Sequence, residues 1–250
     1  MGILNITPDS FFEDSRAETD ETILAQTEKM LSEGADILDV GGHSTRPDAE
    51  KVSVQEEIDR VVPAIELILK HYPTTKISVD TYRQRVGVYA LRAGAQLIND
   101  IGFGNMDEKM IPWIGKQNIP YILSHSRGHF DQVHQVPNYQ NITQEVIVDF
   151  KQKIAQLTSL GHDQLILDPG FGFSKNIDHN YELVDNLEEI INLGFPVLVG
   201  VSRKSMIYKK LGIRPEDALP ATIELHKVLL RKGAHILRVH DVKEAKELLK

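Results

Sequence analysis

Along this chain, short apolar runs each carry a polar or charged residue near or just past their C-terminal end: Asn5, Asp39, Asp80, Asn99, His125, Asp168, Ser202-Arg203-Lys204, and Arg238 with His240. Gathered in one place, such groups suit a definite chemistry. Carboxylates and an Asn amide at the bottom of a cup can read a flat heterocycle carrying adjacent N–H donors through paired hydrogen bonds. Arg, Lys and His above them suit a polyanion. An Asn with few carboxylates nearby on the anion side suits Mg²⁺ held largely by substrate phosphate and water. A zinc hydrolase is the other reading of Asp with two His, but no His-x-His follows the first run and the His spacing is wrong for ligands.

Singly, each residue has a plainer role. Asp39, before Gly41-Gly42, is as well explained by a helix N-cap as by a site, and Asp80-Thr81 makes a good capping pair. His125 alone reads as a packed imidazole, and the Gly-rich "DPGFGFSK" as a loop. The set as a whole is a costly way to cap helices, so a site is the better account.

The elements needed to bring these residues together are legible. Runs rich in Val and Ile occur at Gly2–Leu4, Ile37–Val40, Ile77–Val79, Gln96–Ile98, Tyr121–Leu123, Leu165–Leu167, Val197–Val199 and Ile236–Val239. Between them lie helical patterns. One covers 141–160 with Val146, Phe150, Ile154 and Leu157 on one face. Another covers 53–71, where Pro63 bends the helix or marks a late start. The joints "EGADIL", "RAGAQLI", "LGHDQLI", "LGFPVLV" and "KGAHILRV" each close a helix on a Gly and lead into a strand. Alternating β and α units imply a parallel sheet, and eight of them a closed α/β (β/α)8 TIM barrel, a single domain over 1–250 whose strand C-termini share one rim. No Gly-x-Gly-x-x-Gly follows the first strand, which argues against a doubly wound sheet. The opening "MGILNITPDS" reads as a strand already under way, so a first strand shortened at its N-terminus is expected.

Composition sets the outer limits. The 250 residues are 41% hydrophobic and 26% charged, as in a globular protein with a large core. There are no cysteines, so disulfides and thiolate metal sites are excluded, consistent with a cytoplasmic location. A net charge of −8 without a basic stripe argues against nucleic-acid binding. No apolar stretch reaches the roughly 18 to 20 residues of a membrane span.

In order and spacing, "GILNITPDSF", "DVGGHSTRP", "ISVDTY", "INDI", "LDPGFGF", "GVSRKS" and "LRVHDV" resemble the dihydropteroate synthase family nearly end to end. The resemblance implies a usually homodimeric TIM-barrel transferase of folate biosynthesis. It would join 6-hydroxymethyl-7,8-dihydropterin diphosphate to p-aminobenzoate and release pyrophosphate with Mg²⁺ assistance. It further implies that Asp80, Asn99, Asp168 and Lys204 hold the pterin, and that Asn5, Arg238 and His240 hold the pyrophosphate, with Asn5 a Mg²⁺ ligand. Thr45, Arg46, Pro47, Phe173 and Ser202 would meet p-aminobenzoate, and Asp9, Ser10 and Phe11 would sit on a mobile lid. Lys204, Asp80, Asp168, Arg238 and His240 would carry catalysis, and Arg203 reads as a structural cation. Ser124 and Ser126 stand where the family has Met, one of which stacks on the pterin. Asp48 and the run "FFEDSR" alter the two expected lid loops, 41–52 and 7–19, and "LPATIELH" replaces the customary start of the last long helix. Two other readings remain: a methyltetrahydrofolate-using methyltransferase, which needs neither Ser202-Arg203-Lys204 nor Arg238-x-His240, and a non-catalytic pterin-binding barrel.

Overall fold

A computed structural model describes residues 1–6, 16–44 and 52–250, with 16–19 described by backbone alone. Eight strands alternate with helices: β1 Gly2–Asn5, α1 Arg16–Ser32, β2 Leu38–Gly41, α2 Val54–His71, β3 Ile77–Asp80, α3 Gln84–Ala93, β4 Leu97–Asp100, α4 Met110–Ile114 and β5 Tyr121–Ser124. The second half continues with α5 Ile142–Ser159, β6 Leu165–Asp168, α6 Ile177–Asp185, α7 Leu187–Ile191, β7 Leu198–Val199, α8 Ser205–Leu211, α9 Leu219–Arg231, β8 Ile236–Leu237 and α10 Val242–Glu247. Each predicted strand is present within a residue or two of its expected limits.

Strands β1 to β6 pair in sequence order, all parallel, and β7 pairs with β8. Two parallel bridges, Leu167 to Val197 and Gly2 to Val239, join these sheets at both edges and close the ring. The closing bonds are short: Ile3 N–H donates to Val239 O at 2.9 Å, and Leu167 N–H to Pro196 O at 2.9 Å. Among the described residues the closed ring leaves no free sheet edge.

The local rules explain the boundaries. Ser53 and Glu56 form a reciprocal capping box at the start of α2, and Asn141 and Asn176 cap α5 and α6. Helix α2 runs unbroken through Pro63, so that residue does not mark a late start. The five predicted joint glycines, Gly34, Gly94, Gly161, Gly194 and Gly233, all have positive φ.

A strand has a two-residue period, so inward residues lie in layers. One inner layer is apolar: Met1, Leu97, Ile122, Ile166 and Leu198, with Ile37 and Ile236 packed against them. Two residues further along the same strands stand Asn99, Ser124, Asp168, Gly200, Asp39 and Arg238, with Ile3 the one apolar member. The barrel is plugged with hydrocarbon at one level and polar at the next, toward the strand C-termini. The outward residues form the separate and larger core between sheet and helices, including Leu38, Val40, Ile65, Val79, Ile98, Tyr121 and Phe150.

Candidate active site

The polar layer is a connected network. Asp39, fully buried on β2, accepts from Asn99 Nδ2 at 2.8 Å and from Arg238 Nε at 2.6 Å. The Arg238 guanidinium also donates through Nη2 to Asp80 Oδ2 at the end of β3. Asp39 therefore caps no helix; it ties β4 and the end of β8 across the barrel interior. Ser124 Oγ lies 3.0 Å from Asp168 Oδ2, to which it donates, and 3.4 Å from Asn99 Oδ1. Asp168 Oδ1 accepts from Gly170 N–H at 2.8 Å. With about four lone-pair positions on a carboxylate, Asp168 keeps acceptor capacity toward the cup.

Electrostatics follow from the burial. Removal from water raises the Asp80 carboxyl above its usual range, with Arg238 pulling the other way, while Asp39 and Asp80 together raise Arg238 against its own desolvation. Arg238 thus sits among the acids and not simply above them, because its place on β8 puts it on the same inward face as Ile236. Lys204 donates to Phe171 O at 2.6 Å and stands 4.6 Å from the centroid of the Phe173 ring. Burial lowers its pKa to about 8, with Asp168 opposing and Arg238 reinforcing the shift. Lys204 has therefore lost much of water's preference for its charged form.

The turn after β7 delivers these groups by a strained backbone. Arg203 has φ +54, a left-handed conformation unusual for a side-chain-bearing residue. Its guanidinium forks onto Asp241, Nε to Oδ2 at 2.8 Å and Nη2 to Oδ1 at 2.6 Å, so Arg203 is the structural cation expected. Ser202, on one side of it, faces His240, with Oγ 3.1 Å from Nδ1. Lys204, on the other, enters the cup. The His240 ring keeps an exposed edge at the rim, yet the cup wall behind it and then Arg238 lower its pKa.

Asn5 is exposed at the end of β1. A Cβ built on Gly41 would lie 3.5 Å from both Asn5 Oδ1 and Asp80 Cβ, so the glycine keeps open the gap between these two oxygen-bearing side chains. No cluster of three His, Cys, Asp or Glu suited to a metal occurs among the described residues. A single hard oxygen donor at the rim fits Mg²⁺ that takes its other ligands from substrate phosphate and water.

Of the residues expected at the site, Asp80, Asn99, Asp168, Lys204 and Arg238 come together in the cup, with Ser202, His240, Phe173 and Asn5 around its mouth. Asp9, Ser10, Phe11, Thr45, Arg46 and Pro47 lie outside the described residues. Three features escaped the sequence. Ser124 is part of the network and not merely a lost methionine. His43, Phe130 and Tyr82 stack at the rim, with centroids 4.3 and 4.9 Å apart for the His43–Phe130 and Phe130–Tyr82 pairs. Lys175 is buried against His125. The available signal for the last was that both follow adjacent strands.

A closed eight-stranded barrel with a polar, charge-paired mouth over an apolar plug is the (β/α)8 architecture, whose enzymes carry their active sites at that mouth. The pterin binding enzyme family model matches residues 1–240, and the chain belongs to that family. Among its relatives is the dihydropteroate synthase of Escherichia coli K12, 39% identical over 252 residues, covering all of this chain and 89% of the relative. The Yersinia pestis dihydropteroate synthase, solved with a sulfonamide drug complex, superposes with a TM-score of 0.90 at 38% identity, covering 100% of this chain and 90% of that one. The Xanthomonas albilineans dihydropteroate synthase in complex with 7,8-dihydropteroate does so with a TM-score of 0.88 at 34% identity, covering 100% and 90%.

Proposed function

We propose that this protein is a dihydropteroate synthase, a transferase that joins 6-hydroxymethyl-7,8-dihydropterin diphosphate to p-aminobenzoate and releases pyrophosphate. The observation that supports this most is the linked set Asp39, Asp80, Asn99, Ser124, Asp168 and Arg238, with Lys204 close enough to feel their charges, at the C-terminal mouth of the barrel in a member of a pterin-binding family. In this reading Asp168 accepts from the pterin's amino and ring N–H edge, with Asn99 and Asp80 beside it. Lys204, held at Phe171 O, donates to the ring from the opposite side.

Arg238, His240 and Asn5 face the diphosphate. The Arg238 guanidinium stabilises the leaving pyrophosphate as its bond to the pterin methylene breaks, with the neutral His240 ring adding a hydrogen bond. Mg²⁺, held by Asn5 together with substrate oxygens, would supply further neutralisation of that charge. The arylamine is a neutral nucleophile, so no strong base is needed before attack. Phe173 and Ser202, with Thr45, Arg46 and Pro47, would orient it, and Asp9, Ser10 and Phe11 would belong to the covering segment that excludes water. A homodimer and a cytoplasmic location belong to the same proposal. No helix among the described residues is long and apolar enough to cross a membrane.

The test is pyrophosphate release from the purified protein given pterin diphosphate, p-aminobenzoate and Mg²⁺. Release that depends on all three supports the proposal. Pterin binding without turnover would favour a non-catalytic barrel, and methyl transfer from a methyltetrahydrofolate would favour the methyltransferase.

A further inference from the structure

Lys175 is an unexpected residue to bury. Only 6% of it is exposed, and no carboxylate lies within ion-pairing distance of its ammonium among the described residues. Instead Nζ faces four acceptors, His125 O at 3.1 Å, Gly170 O at 3.1 Å, Phe173 O at 3.0 Å and His125 Nδ1 at 3.0 Å, among which its three N–H groups are shared. His125 is itself fully buried, and its Nε2 is 3.0 Å from Asp149 Oδ2 on α5. Asp149 accepts the Nε2–H, which leaves the Nδ1 lone pair to accept from Lys175. Burial and the neighbouring Lys175 hold the imidazole pKa at about 3, in keeping with that neutral tautomer.

The backbone around this contact is equally specific. Gly170 has φ +68, and a Cβ there would fall 1.9 Å from His125 O, so the loop after β6 is pressed onto the end of β5. Ser174 has φ +52, a strained value for a non-glycine, and is held by its N–H to Val133 O at 2.6 Å and its Oγ to Arg127 O at 2.7 Å. That left-handed residue splits its neighbours: Phe173 turns to the cup, where its ring meets Lys204, and Lys175 turns inward. Strain of this kind persists only where the surroundings over-determine it.

We propose that Lys175 is a positioning residue for the p-aminobenzoate site: steadied by the acceptor at His125 Nδ1, it grips the Gly170 and Phe173 carbonyls and so sets where the Phe173 ring stands over the mouth. The inference rests on the function proposed above. Asp168 accepts from Gly170 N–H as well, but Ser124 and the β6 register also hold it, so the pterin floor keeps anchors outside the Lys175 contact.

The experiment uses the full chain and steady-state kinetics with calorimetry. Lys175→Met keeps the stem and removes the donor. Expected is at least a tenfold rise in KM for p-aminobenzoate, while pterin diphosphate binds within twofold of wild type in the absence of the second substrate. His125→Asn retains an acceptor near the Nδ1 position and should keep KM within threefold of wild type, whereas His125→Leu should reproduce Lys175→Met. This pair carries the test should Lys175→Met fail to fold. A structural staple alone would lower the melting temperature and the active fraction but leave both constants in place, and that result overturns the inference. So does parallel weakening of both substrates. Wild-type enzyme that releases no pyrophosphate defeats the functional proposal itself, and with it the role of Lys175; normal turnover with unmoved constants in the variants defeats only the latter.

Discussion

Asp39 shows how little a single residue type says before its partners are known. A carboxylate next to two glycines suits a cap, yet here it is buried and joins Asn99 to Arg238. Removing one member of a buried charge network leaves the rest uncompensated. Asp39→Ala should therefore cost about 3 to 5 kcal/mol of stability by chemical denaturation, and weaken pterin diphosphate binding at least tenfold by calorimetry. A variant with wild-type affinity would show that Arg238 and Asn99 hold their places without it. Lys204→Ala and Asp168→Asn should each weaken pterin binding strongly and leave the far-ultraviolet circular dichroism unchanged, because neither contributes to a strand ladder through its side chain.

At the scale of the element, α9 carries a residue whose contribution depends on pH. His226 is 1% exposed, and neither ring nitrogen has a hydrogen-bond partner among the described residues. Burial lowers its pKa to about 4 from the ordinary 6.5, against a weaker opposite pull from Asp241. Between these values the unfolded chain binds a proton that the folded chain does not, so stability falls as pH drops from 6.5 toward 4. His226→Leu removes both the unpartnered N–H and that linkage. Its stability advantage over wild type should grow by up to about 3 kcal/mol across this interval. Urea midpoints at pH 7, 5.5 and 4.5 would measure it, and a constant difference would rule the linkage out. The β6 loop makes the complementary point about backbone. Gly170→Ala must both adopt φ +68 and clear His125 O, so a loss of at least about 3 kcal/mol is expected by the same measurement.

For the whole molecule, closure and layering separate stability from chemistry. Bridges at Leu167–Val197 and Gly2–Val239 complete a ring whose inner face changes from hydrocarbon to polar in one two-residue step. Leu198, fully buried in the apolar layer, supports the cup from beneath. Leu198→Ala should cost about 2 to 5 kcal/mol and lower the melting temperature, while the folded fraction still binds pterin diphosphate with near-native affinity. Loss of affinity in proportion to stability would mean that the two layers are not independent.

Much of this was already determined along the chain. The eight apolar runs, the five joint glycines and the polar residues near the end of each run depend on nearest neighbours and on local periodicity, which act before any tertiary contact forms. Those rules set the order of elements and identified Asp80, Asn99, Asp168, Lys204 and Arg238 as residues of one rim. What they cannot encode is which rim residue meets which. The pairing of Arg238 with Asp39 and Asp80 spans 199 and 158 residues, and that of Lys175 with His125 spans 50. Such contacts exist only once the barrel has closed, because ring closure sets the distance between strands far apart in sequence. Burial then decides the rest: it turns Lys175 from a solvated loop cation into an anchor, Asp39 from a cap into a bridge, and Ser124 into a link between two acceptors.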